Sequence, residues 1–440
     1  MSYRQLAYVE VWAWGTRVGV VAPDPRSGRY VFAFTPDWIS SGVELSPLTM
    51  PLREAPYELG QWPELAPDAF HGLVPLLADS LPDAFGNALV NAWMAEHGVS
   101  LENITPLDRL AYAADRAMGA LEFRPPADDA AREAPSAIAL ADLVRAARLT
   151  VRGELADDSG AHSAIQQLIH VGSSAGGARA KAVIAFNPVT YQLASAFGSL
   201  GAGFEHWIIK LDGVSATGMD GHGDGLGESA PYGRIEYAYS LMASAAGVDM
   251  APCYLLAEGP RRHFMTRRFD RESDGGRIHV LSLAALAHLD QRLVGVHSYD
   301  QYLSSLKQLG LGLSSLEQAY RRMVFNVAAV NRDDHTKNFA FMRTREGPWE
   351  LAPAFDITHA YRANSEWTSR HNLRVNAKTE AITLNDLYIV GDRQEVPGYR
   401  SIVHEVIEAV GAWPEFAATA ELDETVLRSV GADLEKFRPR

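Results

Sequence analysis

Apolar and polar residues alternate along Tyr8-Val9-Glu10-Val11-Trp12-Ala13-Trp14, and further apolar runs follow at Val18–Val21 and Tyr30–Phe34. A period of two places every second side chain on one face, so Leu6–Phe34 predicts a β-meander turning at Gly15 and between Pro25 and Gly28. The period changes at Leu73. From there to Met94 apolar residues recur at helical spacing, broken by Pro82, with Ser80 or Asp83 placed to cap the helix that follows. Helical spacing continues around Pro106–Ala117, and Gly119-Ala120-Leu121-Glu122-Phe123 reads as another strand.

Pro125–Pro135, rich in Pro, Ala, Asp and Glu, is a candidate linker or surface loop, followed by a short amphipathic helix at Leu140–Leu149. The small-residue stretch Val171–Lys181 leads into an apolar strand at Ala182–Phe186. A second strand ends at His206-Trp207-Ile208-Ile209-Lys210-Leu211, and the glycine-rich stretch Gly218–Gly227 separates it from a helix beginning near Glu236. From Leu281 onward the pattern is mainly helical. It is interrupted by a predicted hairpin with strands at Phe339–Met342 and Trp349–Leu351 around the turn Arg345-Glu346-Gly347-Pro348. No internal repeat of convincing period is present. These changes divide the chain into a strand-rich segment (1–125), a middle segment carrying the small-residue loop (126–265) and a mainly helical segment (266–440).

With 440 residues, the chain is long enough for two or three closely associated substructures. Its 47% hydrophobic and 21% charged composition is that of a soluble globular protein. A formal charge of −14 argues against coating nucleic acid through the net field. The densest basic cluster, Arg261, Arg262, Arg267, Arg268 and Arg271, reads as solvated surface with salt bridges rather than a nucleic-acid patch. The single cysteine, Cys253, excludes an intrachain disulfide and a Cys-based structural zinc site, and fits a reducing cytoplasm. The N-terminus has no basic region feeding an apolar run, and no segment approaches eighteen uninterrupted apolar residues. A cytoplasmic, non-membrane protein is expected.

The candidate chemistry lies in Asn331-Arg332-Asp333-Asp334-His335-Thr336-Lys337-Asn338, followed eighteen residues later by Asp356. Phosphoryl transfer needs a carboxylate to accept the proton of the attacking hydroxyl and further oxygens to hold Mg²⁺ against the nucleotide phosphates. Asp333, Asn338 and Asp356 can supply those roles, and the Asp333-to-Asn338 spacing is that of the protein-kinase catalytic loop. Ser173–Lys181 carries Gly176-Gly177 among small residues, which lets backbone N–H groups approach phosphate oxygens, although such a stretch is also an ordinary surface turn. It lacks Walker spacing. Lys210, ending an apolar strand, can reach phosphates with its stem buried, or simply snorkel.

Glu236 is placed to pair with Lys210, or to lie on a solvated helix face. Phe264–Arg271 would cross between lobes and meet the adenine, or form an interlobe strand with an ordinary Arg–Asp pair. His335 admits a metal-dependent nuclease or phosphohydrolase built on Asp333, Asp334, His335 and Asp356. That alternative would leave Lys210 and the small-residue loop unexplained, and His335 then reads as an orienting group for the loop. The succession of glycine-rich loop, strand lysine, helix glutamate, Asp-x-x-x-x-Asn, hairpin and Asp is that of kinase parts.

With these motifs, nearly the whole chain resembles the HipA family of bacterial toxin kinases. The resemblance rests on Ser173–Lys181, His206–Leu211, Arg268-Phe269-Asp270-Arg271, Asp333–Phe339 and Pro353-Ala354-Phe355-Asp356-Ile357. Leu81–Asn87 and Gly119-Ala120-Leu121 support it in the N-terminal half. It implies an α+β, protein-kinase-like two-lobe fold with a strand-rich N-terminal extension and a mainly helical C-terminal lobe, using ATP and Mg²⁺. By motif match Asp333 would be the catalytic base, Lys210 the phosphate-binding lysine, and Asn338 and Asp356 the metal ligands. Ser174, Ala175, Gly176, Gly177, Phe269, His335 and Phe355 would complete the nucleotide site.

Ser174 matches the serine that family members autophosphorylate to switch themselves off. The family further implies a small helix-turn-helix antitoxin of HipB type, DNA contact only through that antitoxin, and a protein substrate such as an aminoacyl-tRNA synthetase, whose phosphorylation arrests growth. A catalytically dead, antitoxin-binding regulator is the non-enzymatic alternative. The chain departs from the pattern at Arg267, where glutamate is usual at the hinge, and at Arg179 and Ala180, which replace the more usual Gln and a polar or proline residue.

Overall fold

The period-two stretch forms β1 (Val9–Ala13), β2 (Thr16–Pro23) and β3 (Tyr30–Phe34) in the computed structural model, which describes residues 5–125, 179–196, 200–215, 231–272 and 274–440. With β4 (Tyr57–Glu58) and β5 (Leu121–Arg124) they make an antiparallel sheet in the order β4-β3-β2-β1-β5. Val9, Val11 and Ala13 turn inward, as alternation requires, against Val21 and Phe123 of neighbouring strands. The linker, the Leu140–Leu149 helix and the stretches holding Ser174–Gly177 and Gly218–Gly227 lie outside the described residues.

The chain divides into two compact units: residues 1–45, 50–230 and 256–280, and residues 46–49, 231–255 and 281–440. In the first unit α1 (Pro36–Ser41) buries Trp38, which stacks on Trp14 at 6.3 Å. The helical pattern from Leu73 splits into α2 (Pro75–Ala78) and α3 (Ala84–Glu96). Of the two candidate caps Asp83 is the one used: its Oδ1 accepts from Gly86 N–H at 2.7 Å. The next helix, α4 (Pro106–Ala113), starts in a Thr105–Asp108 capping box. It stops short of the predicted Ala117 because Ala114 takes φ +46°, outside the helical region.

The second sheet of this unit contains β6 (Arg179–Asn187), β7 (Gln192–Ser195), β8 (Glu205–Ser215), β9 (Cys253–Glu258) and β10 (Arg261–Arg267), in the order β7-β6-β8-β10-β9. The expectation that a strand ends just after Lys210 is wrong; β8 continues to Ser215. Its continuation is polar yet bonded, since Asp212 N–H donates to His263 Nδ1 at 2.9 Å and Asp212 Oδ2 accepts from Arg262 N–H at 3.0 Å.

A buried ion cluster ties the β10 end to the N-terminal sheet. Asp270, fully buried, accepts from Arg268 Nε at 2.8 Å and Nη2 at 2.6 Å, from Arg271 Nη1 at 2.7 Å, and from Gly119 N–H at 2.7 Å. Arg268 and Arg271 are therefore interior groups, contrary to the solvated-surface reading. Burial alone would raise the Asp270 carboxyl, but Arg268 and Arg271 outweigh it and hold the group well below the usual carboxylate range. Gly119 is required here twice over. It sits at φ +83°, and a Cβ would lie 2.9 Å from Val280 N.

In the second unit the helices are α5 (Tyr232–Ala245), α6 (Leu283–Leu286), α7 (Tyr299–Gln308), α8 (Leu313–Ala328), α9 (Leu384–Arg393), α10 (Tyr399–Gly411), α11 (Trp413–Thr419) and α12 (Glu424–Lys436). Capping boxes at Ser298/Gln301 and Thr383/Asp386 start α7 and α9. At the centre is α8, which buries Ala319, Tyr320, Met323, Val324 and Phe325 and packs on α7 and α10. Its C-terminal end is held by α5, where the buried Tyr239 hydroxyl donates to Ala329 O at 2.8 Å. The helical run is interrupted by β12 (Ala340–Arg343) and β13 (Glu350–Leu351), as the sequence predicts, with β12 between β13 and β11 (His279–Ser282). Among the described residues no helix is long and apolar enough to cross a membrane.

Candidate active site

The loop after α8 begins in strain. Val330 takes φ +54°, an outlier for a β-branched residue, and Asp356 takes φ +51°, so the candidate segment is entered and left through left-handed backbone. Such conformations persist where surrounding structure enforces them, and they concentrate at functional sites. Here the enforcement is visible. Asn331 and Ala360 form a parallel bridge, with Arg332 N–H donating to Ala360 O and Ala360 N–H to Val330 O, each at 3.2 Å.

Two connections bring Asp356 back to the Asp333 loop. From Asn338 the chain runs out along β12 and returns along β13, with Phe341 opposite Leu351 and Ala352 N–H bonded to Ala340 O at 3.1 Å. Beyond Asp356 the Asn331–Ala360 bridge closes the segment onto the loop's start. Asp356 and the half-buried Phe355 are thus bracketed on both sides by pairings to the stretch that carries Asp333 and Asn338.

Within the loop Asn338 Nδ2 donates to Asp333 O at 2.7 Å, which fixes the amide relative to the carboxylate residue and leaves Oδ1 as its oxygen for a cation. His335 caps the short helical turn Thr336–Asn338, its Nδ1 accepting from Lys337 N–H at 3.3 Å, while Nε2 lies 3.8 Å from Asp333 Oδ1. The Asp333 side chain is 45% exposed, whereas that of its neighbour Asp334 is fully buried. Among the described residues no three His, Cys, Asp or Glu side chains gather closely enough to hold a metal ion. Asn338 and Asp356 are the residues of this segment that could hold a divalent cation, with nucleotide oxygens completing its shell. This is how Mg²⁺ is commonly held beside nucleotide phosphates.

Arg332 is buried between two aromatic rings, 4.7 Å from the Tyr361 centroid and 4.1 Å from that of Phe437 at the end of α12, and it donates to Ser369 O. Cation–π contact and a backbone acceptor thus add to the attraction of the nearby carboxylates Glu380, Asp334 and Asp433.

In the first unit Lys210 faces Phe264 on one neighbouring strand, with its ammonium 5.7 Å from the ring centroid, and Lys181 on the other. Lys181 is buried and its ammonium lies 3.2 Å from Asp83 Oδ2. Phe269 is half-buried beside the Arg268–Asp270 pair, and Arg267 reaches Glu205 at 3.4 Å on the exposed rim. Glu236 is buried on α5, which removes the solvated-face alternative. Ser174, Ala175, Gly176 and Gly177 fall outside the described residues.

The sequence reading missed the groups that surround Asp334: Tyr299, His371 and Asn372 all bond to it from distant parts of the chain. It also missed the Lys181–Asp83 pair. Neither set has a local spacing that would mark it.

Sheets, helices and loop together define a mixed α+β protein. The chain belongs to the HipA family: residues 9–124 match the HipA N-terminal domain and residues 173–414 the HipA-like C-terminal domain. HipA of the Shewanella oneidensis MR-1 toxin–antitoxin system, solved with HipB and operator DNA, is similar over 97% of this chain and 95% of its own, at 15% identity and TM-score 0.60. The Helicobacter pylori proinflammatory kinase CtkA aligns with 50% of this chain and 90% of its own, at 14% identity and TM-score 0.31. No curated protein matches the sequence.

Proposed function

We propose that the protein is an ATP-dependent protein serine/threonine kinase and the growth-inhibiting member of a type II toxin–antitoxin pair. The observation that carries this reading is the Asn338 amide turned onto the Asp333 carbonyl, beside a segment that returns Asp356 to the same loop. In it Asp333 takes the proton of the attacking hydroxyl. Asn338 and Asp356 hold Mg²⁺, which would neutralise charge on the transferred phosphoryl group. Lys210 steadies the phosphates, Phe269 and Phe355 flank the adenine, and His335 holds the turn that presents Asn338.

The loop carrying Ser174, Ala175, Gly176 and Gly177 cradles the phosphates, and autophosphorylation of Ser174 would switch the enzyme off. About two added negative charges would oppose the phosphates that loop binds. The partner is a small HipB-type antitoxin, by analogy with the Shewanella complex, with DNA contacted through it. The substrate is a cytoplasmic translation component such as an aminoacyl-tRNA synthetase.

The test is incorporation of labelled γ-phosphate into protein, with phosphoserine mapping across the proteome after expression with and without a HipB-type partner. Transfer abolished in both Asp333→Asn and Asp356→Asn supports the reading. Full transfer by both variants overturns the residue roles, and Mg²⁺-dependent nucleic-acid cleavage without ATP would favour the hydrolase instead.

A further inference from the structure

We propose that Asp334, held by Tyr299 and His371, is a positioning residue that aims Asp333 for catalysis; this rests on the kinase reading above. Asp334 is a fully buried carboxylate, a state that is costly unless its oxygens are satisfied. Three donors meet it. Oδ2 accepts from the Tyr299 hydroxyl at 2.8 Å and from His371 Nδ1 at 2.9 Å, and Oδ1 accepts from Asn372 N–H at 2.7 Å.

The donors are themselves held. Asn326 Nδ2 donates to the Tyr299 hydroxyl at 3.0 Å, and Asn331 Nδ2 to Asn326 Oδ1 at 2.9 Å. Asn372 Nδ2 donates to Arg332 O at 2.7 Å, and Thr336 Oγ1 to Leu289 O at 2.8 Å. The loop is thereby pinned at Asn331, Arg332, Asp334 and Thr336, and at Asp333 through its carbonyl. What stays turned outward is the Asp333 carboxylate. Anchoring one carboxylate inside sets the direction of its neighbour, and a reacting group misplaced by about 1 Å can lose about 100-fold in rate.

The experiment measures labelled γ-phosphate transfer to protein as maximal rate and half-saturating ATP. It uses the full-length wild type and Asp334→Asn, Tyr299→Phe, His371→Ala and His371→Asn, with each variant's thermal unfolding midpoint alongside. Asp334→Asn keeps the shape but turns an amide donor toward groups that already donate. The expected result is a maximal rate down about 100-fold for Asp334→Asn and His371→Ala, with half-saturating ATP within about twofold of wild type. His371→Asn, which keeps a donor near the Nδ1 position, should recover most of the rate.

Wild-type rates in Asp334→Asn overturn the proposal. So does a loss that merely follows the unfolding midpoint and is not relieved by His371→Asn, which would make the network structural only. An inactive wild type would remove the kinase reading and the positioning role with it, a result distinct from active wild type with indifferent variants.

Discussion

Lys181 and Lys210 stand opposite each other on β6 and β8, and the first of them is buried 3.2 Å from Asp83. Facing like charges destabilise a sheet, so Asp83 removes a repulsion while it caps α3. Asp83→Asn keeps the cap but leaves the buried ammonium without its carboxylate, and should cost about 3–5 kcal/mol in chemical denaturation. Lys181→Met in the Asp83→Asn background should restore most of that loss. Additive effects in this double-mutant cycle would show that the two groups do not interact.

The same reasoning separates two arginine sites in the basic cluster. Asp270→Asn strands Arg268 and Arg271 in the interior and should destabilise the protein by about 3–5 kcal/mol. Arg267→Ala removes an exposed partner of Glu205 and should change stability by less than about 1 kcal/mol. Urea titrations of both variants check the contrast.

Acid sensitivity should trace in part to His288. Burial pushes this imidazole down to about 3 from an ordinary value near 6.5. Below about pH 6.5 the unfolded chain takes up a proton that the folded protein refuses, so the stabilisation is complete above that pH. It is lost as pH falls toward 3, by up to about 1.4 kcal/mol per pH unit. His288→Asn, whose side chain tolerates the φ of +54° at this position, should flatten the fall in unfolding midpoint between pH 6.5 and 4. An unchanged slope would assign the acid sensitivity to other groups, such as His206, which burial followed by Arg268 and Arg271 pushes down to about 4.

Asn338→Ala removes both the tie to the Asp333 carbonyl and a cation oxygen. On the proposed chemistry, transfer should fall by about 100-fold or more, and the Mg²⁺ concentration giving half-maximal rate should rise. A lowered rate with unchanged Mg²⁺ dependence would leave Asn338 the positioning role alone.

The sequence was most legible where chemistry is local. Asp333 and Asn338 lie within one loop, and the hairpin leading to Asp356 announces itself by its turn residues, so this local arrangement can be read from spacing alone. Asp334 was visible as a carboxylate but not as an interior one, because its donors come from Tyr299, His371 and Asn372, which share no spacing with it. Arg268 and Arg271 were misread for a related reason. Charge predicts exposure until a carboxylate such as Asp270 and backbone acceptors such as Ala117 O and Gly119 O gather around it. Lys210 reads as a strand end because the apolar run stops at Leu211, whereas His263 and Arg262 give Asp212 the hydrogen bonds that extend the strand.

The aromatic packing of Arg332 has a consequence for the timing of synthesis. Asp333 and Asn338 leave the ribosome well before Phe437 does, so a nascent chain carries the motif while the ring that covers its arginine has yet to be made. Only when the end of α12 has emerged can Arg332 gain both of its rings. The segment that carries Asp333 and Asn338 thus acquires its full aromatic packing later in synthesis than its own residues.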